Sequence, residues 1–375
     1  MKVRSYLSRV AVMALVSLPG LASGQAIPRF EYDPTWPKQL PNQWIFGEVG
    51  GMGVDAQGHI WVIQRPWTVT GRELAAVSGE AECCRPAPPV IEFDFEGNVV
   101  QAWPPLQQFE DDGQQLWEAG PDGYGEWGRR EHSVIVDHND FVWVSNDNSH
   151  VIYKFTRDGR HVLTIGQKNV TEGSNSTTTL GRPAGLAVDP ETNELYVADG
   201  YLNKRVIVFD AGTGAYKRHW GAYGKRPEDV ATNTLPRGGP AEQFRGPVHG
   251  IAISRDGNVY VADRTANRIQ VFRKDGTYLS EGFVARETED AGAAYGVYLS
   301  QDPEQAWVYV NDGSNNKIWI LRRSNLETVG SFGSAGRTGG QFLSAHSMTV
   351  DQQGNIYVGE TRGMRVQRFL FRGVR

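Results

Sequence analysis

Three histidines occupy one position in an internal repeat of the chain. His132, His249 and His346 are each the second residue of a segment with a shared pattern. The copies that contain them are the second, fourth and sixth of six. If six copies close into a ring, alternate copies bring three imidazoles to one end of the axis, about 120° apart. Three imidazoles with a fourth position left open are the ligand set of a catalytic metal site.

The repeat itself predicts the fold. Each copy contains two short runs of alternating apolar residues around a polar turn, which is typical of a β-hairpin. A third apolar run follows in every copy and a fourth in most, and four antiparallel strands form one propeller blade. The six hairpins are VGGMGVDAQGHIWVIQ (49–64), EHSVIVDHNDFVWVSN (131–146), PAGLAVDPETNELYVAD (183–199), VHGIAISRDGNVYVAD (248–263), AYGVYLSQDPEQAWVYVND (294–312) and AHSMTVDQQGNIYVGE (345–360). The sequence therefore predicts an all-β fold, a six-bladed β-propeller.

Both ends of the chain bear on how this ring closes. The sixth copy stops after its third strand near Arg375, while the segment RFEYDP (29–34) precedes the first copy without a partner. We expect this N-terminal strand to complete the last blade, because closure removes the exposed sheet edges of an open array. Residues 27–375 are then expected to form a single propeller domain.

Residues 1–26 have the features of a cleaved secretory signal. They combine a basic start, an apolar stretch and a small-residue exit, which predicts a secreted or periplasmic protein. These residues contain three basic side chains and no acidic one, so residues 27–375 have a net charge of −8, against −5 for the whole chain. Such a charge argues against nucleic acid or an anionic membrane as a partner. We expect a monomer that binds a small-molecule or peptide substrate, with no membrane span after signal cleavage.

The two cysteines, Cys83 and Cys84, are neighbours in the sequence. Adjacent cysteines cannot form a framework of disulfides that ties distant segments together. A reduced pair and a strained vicinal disulfide both remain open interpretations.

Blade geometry predicts which other polar residues share the face with the histidines. The start of the first strand and the exit of the second strand lie at one face of each blade. Arg65, Tyr201 and Arg264 stand at such exits. The arginines are suited to hold a substrate carboxylate in a bidentate manner, or are surface ion-pair partners. Tyr201 beside a metal is suited to act as a general base, or simply stacks beside a turn.

Long segments between these strands are expected at the same face, as walls or a lid over the site. They are residues 66–89, 104–130, 167–182, 222–246 and 333–344. Zn²⁺ is the expected metal because neutral imidazoles suit it, although another divalent transition metal fits the same ligands.

The repeats resemble those of NHL-type propellers. Two consecutive blades are more closely similar to the peptidyl-α-hydroxyglycine α-amidating lyases, with weaker similarity from about Gly47 to Phe369. The segments that show this resemblance are RPAGLAVDPETNELYVADGYLNKRVIVFDAGTGAYKRHWG (182–221) and AEQFRGPVHGIAISRDGNVYVADRTANRIQVF (241–272). The resemblance implies six blades and an enzyme that cleaves the C–N bond of an N-acyl- or peptidyl-α-hydroxyglycine to an amide and glyoxylate.

The same resemblance implies roles for individual residues. It implies a Zn²⁺ ion held by one histidine from each of three alternate blades, and these match His132, His249 and His346. A catalytic tyrosine follows an Asp-Gly pair in the family and matches Tyr201. The family's arginines match Arg65 and Arg264, of which Arg65 would position the substrate and stabilise developing charge.

The sequence departs from the family at three positions. Leu202 and Val271 stand where the family has disulfide-forming cysteines. Ser347 follows the third histidine, where the family has an aspartate that helps bind a structural Ca²⁺ ion. This serine weighs against calcium on the axis.

Two other functions compete with a lyase. A different metal-dependent propeller enzyme, such as a lactonase-like hydrolase, is one, although that class prefers carboxylate and asparagine ligands. A non-catalytic NHL propeller that binds protein or peptide on its upper face is the other, since a fold does not determine function.

Overall fold

Six four-stranded antiparallel sheets form the chain's ring. A computed structural model describes residues 26–103, 130–236 and 239–375, with the backbone of two short strands, Glu110–Asp111 and Gln114–Gln115. Blades 1 to 3 contain the strands Glu48–Val54, Ile60–Arg65, Val90–Phe93 and Val99–Trp103; Glu131–Val136, Val142–Asn146, Val151–Phe155 and His161–Gly166; and Pro183–Asp189, Glu194–Asp199, Arg205–Asp210 and Tyr216–Trp220. Blades 4 to 6 contain Val248–Ile253, Asn258–Asp263, Arg268–Arg273 and Tyr278–Phe283; Gly296–Leu299, Trp307–Asp312, Lys317–Arg322 and Thr328–Phe332; and Ala345–Val350, Ile356–Glu360, Arg365–Val374 and Pro28–Asp33. The predicted six-bladed propeller is confirmed.

Helical structure in the described part of the chain is confined to short connections. These are the 3₁₀ turns Pro66–Thr68, Gly71–Leu74, Ala222–Gly224, Thr232–Thr234 and Arg264–Ala266, and the α-helical turn Ala75–Ser78. Trp44–Ile45 and Arg85–Pro86 add a small parallel sheet. Among the described residues no helix is long and apolar enough to cross a bilayer. The proposed signal segment lies outside the described residues apart from Ala26, and so does most of the predicted wall at 104–130.

The innermost strands of neighbouring blades lie very close together, which leaves only a narrow channel along the axis. A β-carbon on Gly51, Gly185 or Gly250 would lie 2.7 Å from backbone atoms of the neighbouring blade's inner strand. No real side chain tolerates that distance, so glycine is required at these three positions. The inner strands therefore surround a narrow axis onto which side chains from different blades can converge.

Apolar side chains fill the wedges between blades. Between the first two blades, Trp61 packs edge-on against Trp103 at 5.8 Å between ring centroids, and Trp103 packs against Phe155 at 5.2 Å. All three rings are buried. Offset aromatic pairs of this kind add to the free energy gained from apolar burial, and they lock adjacent blades at a fixed angle.

The N-terminal strand closes the ring, as the sequence predicts. Pro28–Asp33 pairs antiparallel with Arg365–Val374 and forms the outer edge of blade 6. Asp33 accepts a 2.8 Å hydrogen bond from Nε of Arg368, and both side chains are largely buried. Phe30 stacks on Phe332 at 4.9 Å between ring centroids. Strand pairing, a buried ion pair and aromatic packing thus join the two ends of the chain.

Replacing Phe30 with alanine is expected to loosen this closure. Its partly buried ring packs against blades 5 and 6, so Phe30→Ala should lower the free energy of unfolding by about 1–3 kcal/mol. Denaturant titration measures this change. The matched control is Leu279→Ala, which removes an exposed apolar side chain from the outer strand of blade 4 and should change stability by less than about 0.5 kcal/mol. Equal losses in the two variants would contradict a special role for the closing strand.

Candidate functional site

A β-bulge turns each of the three histidines away from its sheet. In blade 2, Glu131 pairs with the second strand and so does Ser133, but His132 between them has no partner. The ladder skips His249 in blade 4 and His346 in blade 6 in the same way. A bulged residue is left out of the ladder and its side chain is re-aimed. Each histidine is the second residue of an innermost strand, so all three rings converge at one end of the axis.

The three imidazoles form a compact, buried triangle. Their ring centroids are separated by 4.6 Å for His132 and His249, 4.9 Å for His132 and His346, and 5.2 Å for His249 and His346. Nε2 of His132 lies 3.1 Å from Nε2 of His249, and one nitrogen from each ring lies within 4.8 Å of the others. Three imidazole nitrogens at these separations can hold one transition-metal ion.

Backbone carbonyls orient two of the rings. Nδ1 of His346 lies 3.0 Å from the carbonyl oxygen of Gly50, and Nδ1 of His249 contacts that of Tyr295. A carbonyl only accepts, so Nδ1 is the protonated nitrogen in both rings and Nε2 keeps its lone pair. Such contacts commonly fix the tautomer of a metal-binding histidine. Gly50 and Tyr295 occupy the position equivalent to the histidines in the blades that follow those of His346 and His249. Two blades without a histidine therefore orient the histidine rings of their neighbours.

His132 departs from this pattern. The equivalent carbonyl in the next blade belongs to Ala184, and it accepts a 2.6 Å hydrogen bond from Oγ of Ser145. Nδ1 of His132 is buried and has no hydrogen-bond partner within the described part of the chain. The orientation of this third ring therefore depends on its Nε2 side, which faces the other ligands.

Burial and nearby positive charge keep all three rings neutral. Burial lowers the pKa of His132 and of His249 well below the ordinary histidine value, and the adjacent imidazoles and arginines add to the effect. Burial together with the charges of Arg65 and Arg264 lowers the pKa of His346 to about 3. A neutral imidazole is the form that binds a metal. The donor set therefore fits a transition-metal ion without having to lose protons.

Tyr201 and Arg264 meet the histidines where the sequence places them. The phenol oxygen of Tyr201 lies 3.1 Å from Nε2 of His132 and 3.1 Å from Nε2 of His249. NH1 of Arg264 donates to that oxygen at 3.2 Å, and Nε donates to the carbonyl of Ala291 at 2.9 Å. The structure thus brings a phenol, a guanidinium and the three imidazoles to one point.

Buried ion pairs hold the two strand exits from which these side chains leave. Asp199, two residues before Tyr201, accepts a 2.9 Å hydrogen bond from Nε of Arg205. Asp263, directly before Arg264, accepts one of 2.9 Å from Nε of Arg268. All four charged side chains are buried. A buried pair is costly to break by removing one partner, so both exits are rigid.

Arg65 lies beside the histidines but is committed to other protein atoms. Its Nε and NH2 donate to the carbonyl of Glu131 at 3.2 and 3.1 Å, and NH1 donates to Glu48 at 2.8 Å. Only 5 % of the residue is exposed. Its charge reaches the site, since it lowers the pKa of His132 and of His346. The side chain therefore holds the strand that carries His132. It contributes little to the open end of the axis beside the histidines, which we call the mouth.

Sequence reasoning missed a second charged cluster at this mouth. Asp147 is fully buried and pairs with NH2 of Arg130 at 3.1 Å and with NH2 of Arg182 at 3.4 Å. The guanidinium carbons of these arginines lie 5.3 and 5.2 Å from the ring centroid of Tyr201. Burial raises the pKa of Asp147. One signal was present: Asp147 holds the same strand-exit position as Arg65.

The axis below the histidines offers little to a calcium ion. It contains a cavity of about 60 Å³, lined among others by Gly51, Gly185, Gly250, Ser133 and Ser347. No described residue that lines it has a carboxylate, the ligand that calcium sites in proteins use most. The residues that line this cavity therefore do not fit a structural calcium site.

A second group of possible metal ligands lies at the turn end of blade 1. It consists of Asp55, His59 and Glu92. NH2 of Arg157 pairs with Asp55 at 2.6 Å and also contacts Glu92. The guanidinium of Arg157 already pairs with both buried carboxylates, so the group is an ion-pair network.

The loop within blade 1 contains both cysteines of the chain. Cys83 and Cys84 lie side by side there, with their sulfur atoms in direct contact.

Comparison with known proteins finds NHL repeats in two segments of the chain. The NHL repeat model matches residues 180–209 and 248–272. Among solved structures, a streptogramin B lyase superposes with a TM-score of 0.51 at 11 % identity and covers 92 % of this chain and 98 % of its own. At that identity the likeness shows the fold alone.

The sequence relatives include amidating enzymes and NHL repeat-containing protein 3 of Mus musculus, which is 24 % identical over 360 residues, covering 92 % of this chain and 84 % of that protein. The chain is 28 % identical over 242 residues to peptidyl-glycine alpha-amidating monooxygenase B of Xenopus laevis, covering 64 % of this chain and 26 % of that protein. It is 26 % identical over 269 residues to peptidyl-alpha-hydroxyglycine alpha-amidating lyase 1 of Drosophila melanogaster, covering 66 % of this chain and 47 % of that protein. The match thus spans about a quarter of the first relative and about half of the second. The chain is a six-bladed propeller with NHL repeats in two of its segments, and its sequence resembles those of the amidating lyases.

Loss of one imidazole is expected to abolish metal binding. The purified protein should contain about one divalent transition-metal ion per chain, and His249→Ala should contain almost none because two ligands cannot hold it. Elemental analysis after gel filtration measures both. The matched control is His138→Ala, which removes an exposed histidine from the blade that contains His132 and should keep its metal. Wild-type protein without metal would contradict the site.

Proposed function

We propose that this chain is a secreted or periplasmic zinc-dependent lyase. Its substrate would be an N-acyl- or peptidyl-α-hydroxyglycine, which it would cleave at the C–N bond to an amide and glyoxylate. One observation carries the proposal. The phenol oxygen of Tyr201 lies 3.1 Å from two of three converging imidazole nitrogens, and Arg264 donates to it. The similarity to the amidating enzymes supports the same reaction.

His132, His249 and His346 would hold the metal, and the preference of neutral imidazoles supports Zn²⁺. Zn²⁺ held there would supply a Lewis acid that polarises the substrate's α-hydroxyl oxygen. Tyr201 would take the proton of that hydroxyl as a general base. The hydrogen bond from Arg264 holds the phenol oxygen in place for this transfer.

The bond changes then balance without a further reactant. As the O–H bond breaks, its electron pair forms the C=O bond of glyoxylate, and the C–N bond breaks with its pair on nitrogen. The proton held by Tyr201 is returned to that nitrogen, which gives the neutral amide. Arg65, whose charge lies near the histidines, would stabilise negative charge that develops on the oxygen.

Removal of the phenol hydroxyl is expected to stop the reaction without emptying the site. Tyr201→Phe should lower kcat for glyoxylate release from α-hydroxyhippurate by at least about 100-fold, the usual contribution of a general base. Its metal content should equal that of wild type, because the histidines are unchanged. Product analysis for benzamide and glyoxylate measures the rate.

Tyr216→Phe is the matched control, because Tyr216 also hydrogen-bonds a histidine, His219, but on the outer strand of blade 3. It should keep full activity. A metal-loaded wild-type protein that releases no glyoxylate would rule out the lyase, and a Tyr201→Phe variant with normal kcat would rule out this base.

A further inference from the structure

The cluster of Arg130, Asp147 and Arg182 has no task in the reaction above. Asp147 contributes one negative charge to two guanidinium groups. Both arginines remain partly open to solvent, with 40 % and 26 % of their side chains exposed, while the aspartate between them is fully buried. A buried carboxylate that holds two exposed cations positions them rigidly at the mouth.

The arginines keep donors that Asp147 does not use. Arg182 directs Nε and NH2 toward Asp147, at 3.3 Å from its carbonyl oxygen and 3.4 Å from Oδ1. Arg130 uses NH2, and its Nε is buried without a hydrogen-bond partner among the described residues. A guanidinium has five donors in a planar fork that matches a carboxylate. Among the described residues, donor capacity and positive charge are therefore both left over at this point.

Their position relative to Tyr201 indicates which part of a substrate they would meet. Arg264 donates to the phenol oxygen, and the reacting hydroxyl must lie beside that oxygen. The carboxylate of an α-hydroxyglycine is attached to the same carbon as this hydroxyl, so it would be bound by Arg264. Arg130 and Arg182 lie over the ring of Tyr201 and make no hydrogen bond to its oxygen. They are thus placed to meet a more distant part of the same molecule.

We infer that Arg130 and Arg182, positioned by Asp147, form a second anion subsite that binds a carboxylate on the acyl portion of the substrate. This inference rests on the proposed lyase function for the identity of the first carboxylate. The preferred substrate is then a dianion, an α-hydroxyglycine whose acyl group ends in a carboxylate.

Two inert analogues that differ in one carboxylate test the subsite. N-succinylglycine has the second carboxylate, and N-butyrylglycine has a methyl group in its place. Calorimetric titration of the metal-loaded protein at constant ionic strength should show N-succinylglycine binding at least about 10-fold more tightly, as expected for one charge-assisted pair. Arg182→Gln should reduce this preference to less than about 3-fold and leave the affinity for N-butyrylglycine unchanged.

Two further variants keep the test decisive. Arg182→Lys retains the charge and loses the fork, and should give an intermediate preference. Arg372→Gln, which removes an exposed arginine from the outer side of blade 6, should keep the full preference. Melting temperatures and metal content near those of wild type identify the variants that are folded.

The possible failures are distinguishable. Equal affinity of wild type for the two analogues, or an equal loss for both in Arg182→Gln, would overturn the second subsite whether or not glyoxylate is released from α-hydroxyhippurate. A retained preference for the dicarboxylate in a protein that releases no glyoxylate would overturn the lyase and leave the subsite standing.

Discussion

Pairing of the first described strand with the last one is the constraint on which the site depends. Pro28–Asp33 lies beside Arg365–Val374 and makes the sixth blade continuous across the two ends of the chain. The three histidines are 117 and 97 residues apart in the sequence, and no local structure connects them. They can converge on one axis only because the ring is closed and each blade is held at a fixed angle. The buried ion pair between Asp33 and Arg368 therefore supports the site from the far edge of its blade.

Within the closed ring, alternation between blades gives the site its order. Bulges in blades 2, 4 and 6 turn histidines to the axis. The register-equivalent residues of two intervening blades contribute backbone carbonyls that fix the ring tautomers. Glycines allow the inner strands to approach closely enough for these contacts. The repeat is thus both the scaffold of the ligands and the source of their orientation.

The sequence predicts those parts of the site that follow from strand register. The three histidines share one register position in the repeat. Tyr201 and Arg264 follow the second strands of their blades at equivalent positions. The alignment of the six repeats is therefore enough to predict that these residues lie together. Contacts between blades are not predictable in this way. Arg65 shares its register with Arg264, yet it lies buried, because its guanidinium donates to the carbonyl of Glu131 in the next blade and to Glu48. A β-carbon on Gly50 would lie 2.3 Å from that carbonyl oxygen, so glycine leaves room for the contact between the two blades.

The cluster around Asp147 is a second set of contacts between blades that the sequence does not predict. It also distinguishes this propeller from others of the same fold. Arg130 directly precedes the first strand of blade 2, and Arg182 directly precedes the first strand of blade 3. Only the folded ring brings both side chains to the carboxylate of Asp147. A propeller with 11 % identity shares the architecture, so chemistry must reside in the side chains at the mouth. Among the described residues, neutral imidazoles lie here close to the guanidinium groups around Tyr201. In a chain with a net charge of −5, such guanidinium groups would attract anions to this opening. The charge of the mouth, more than the fold, would then decide which molecules reach the histidines.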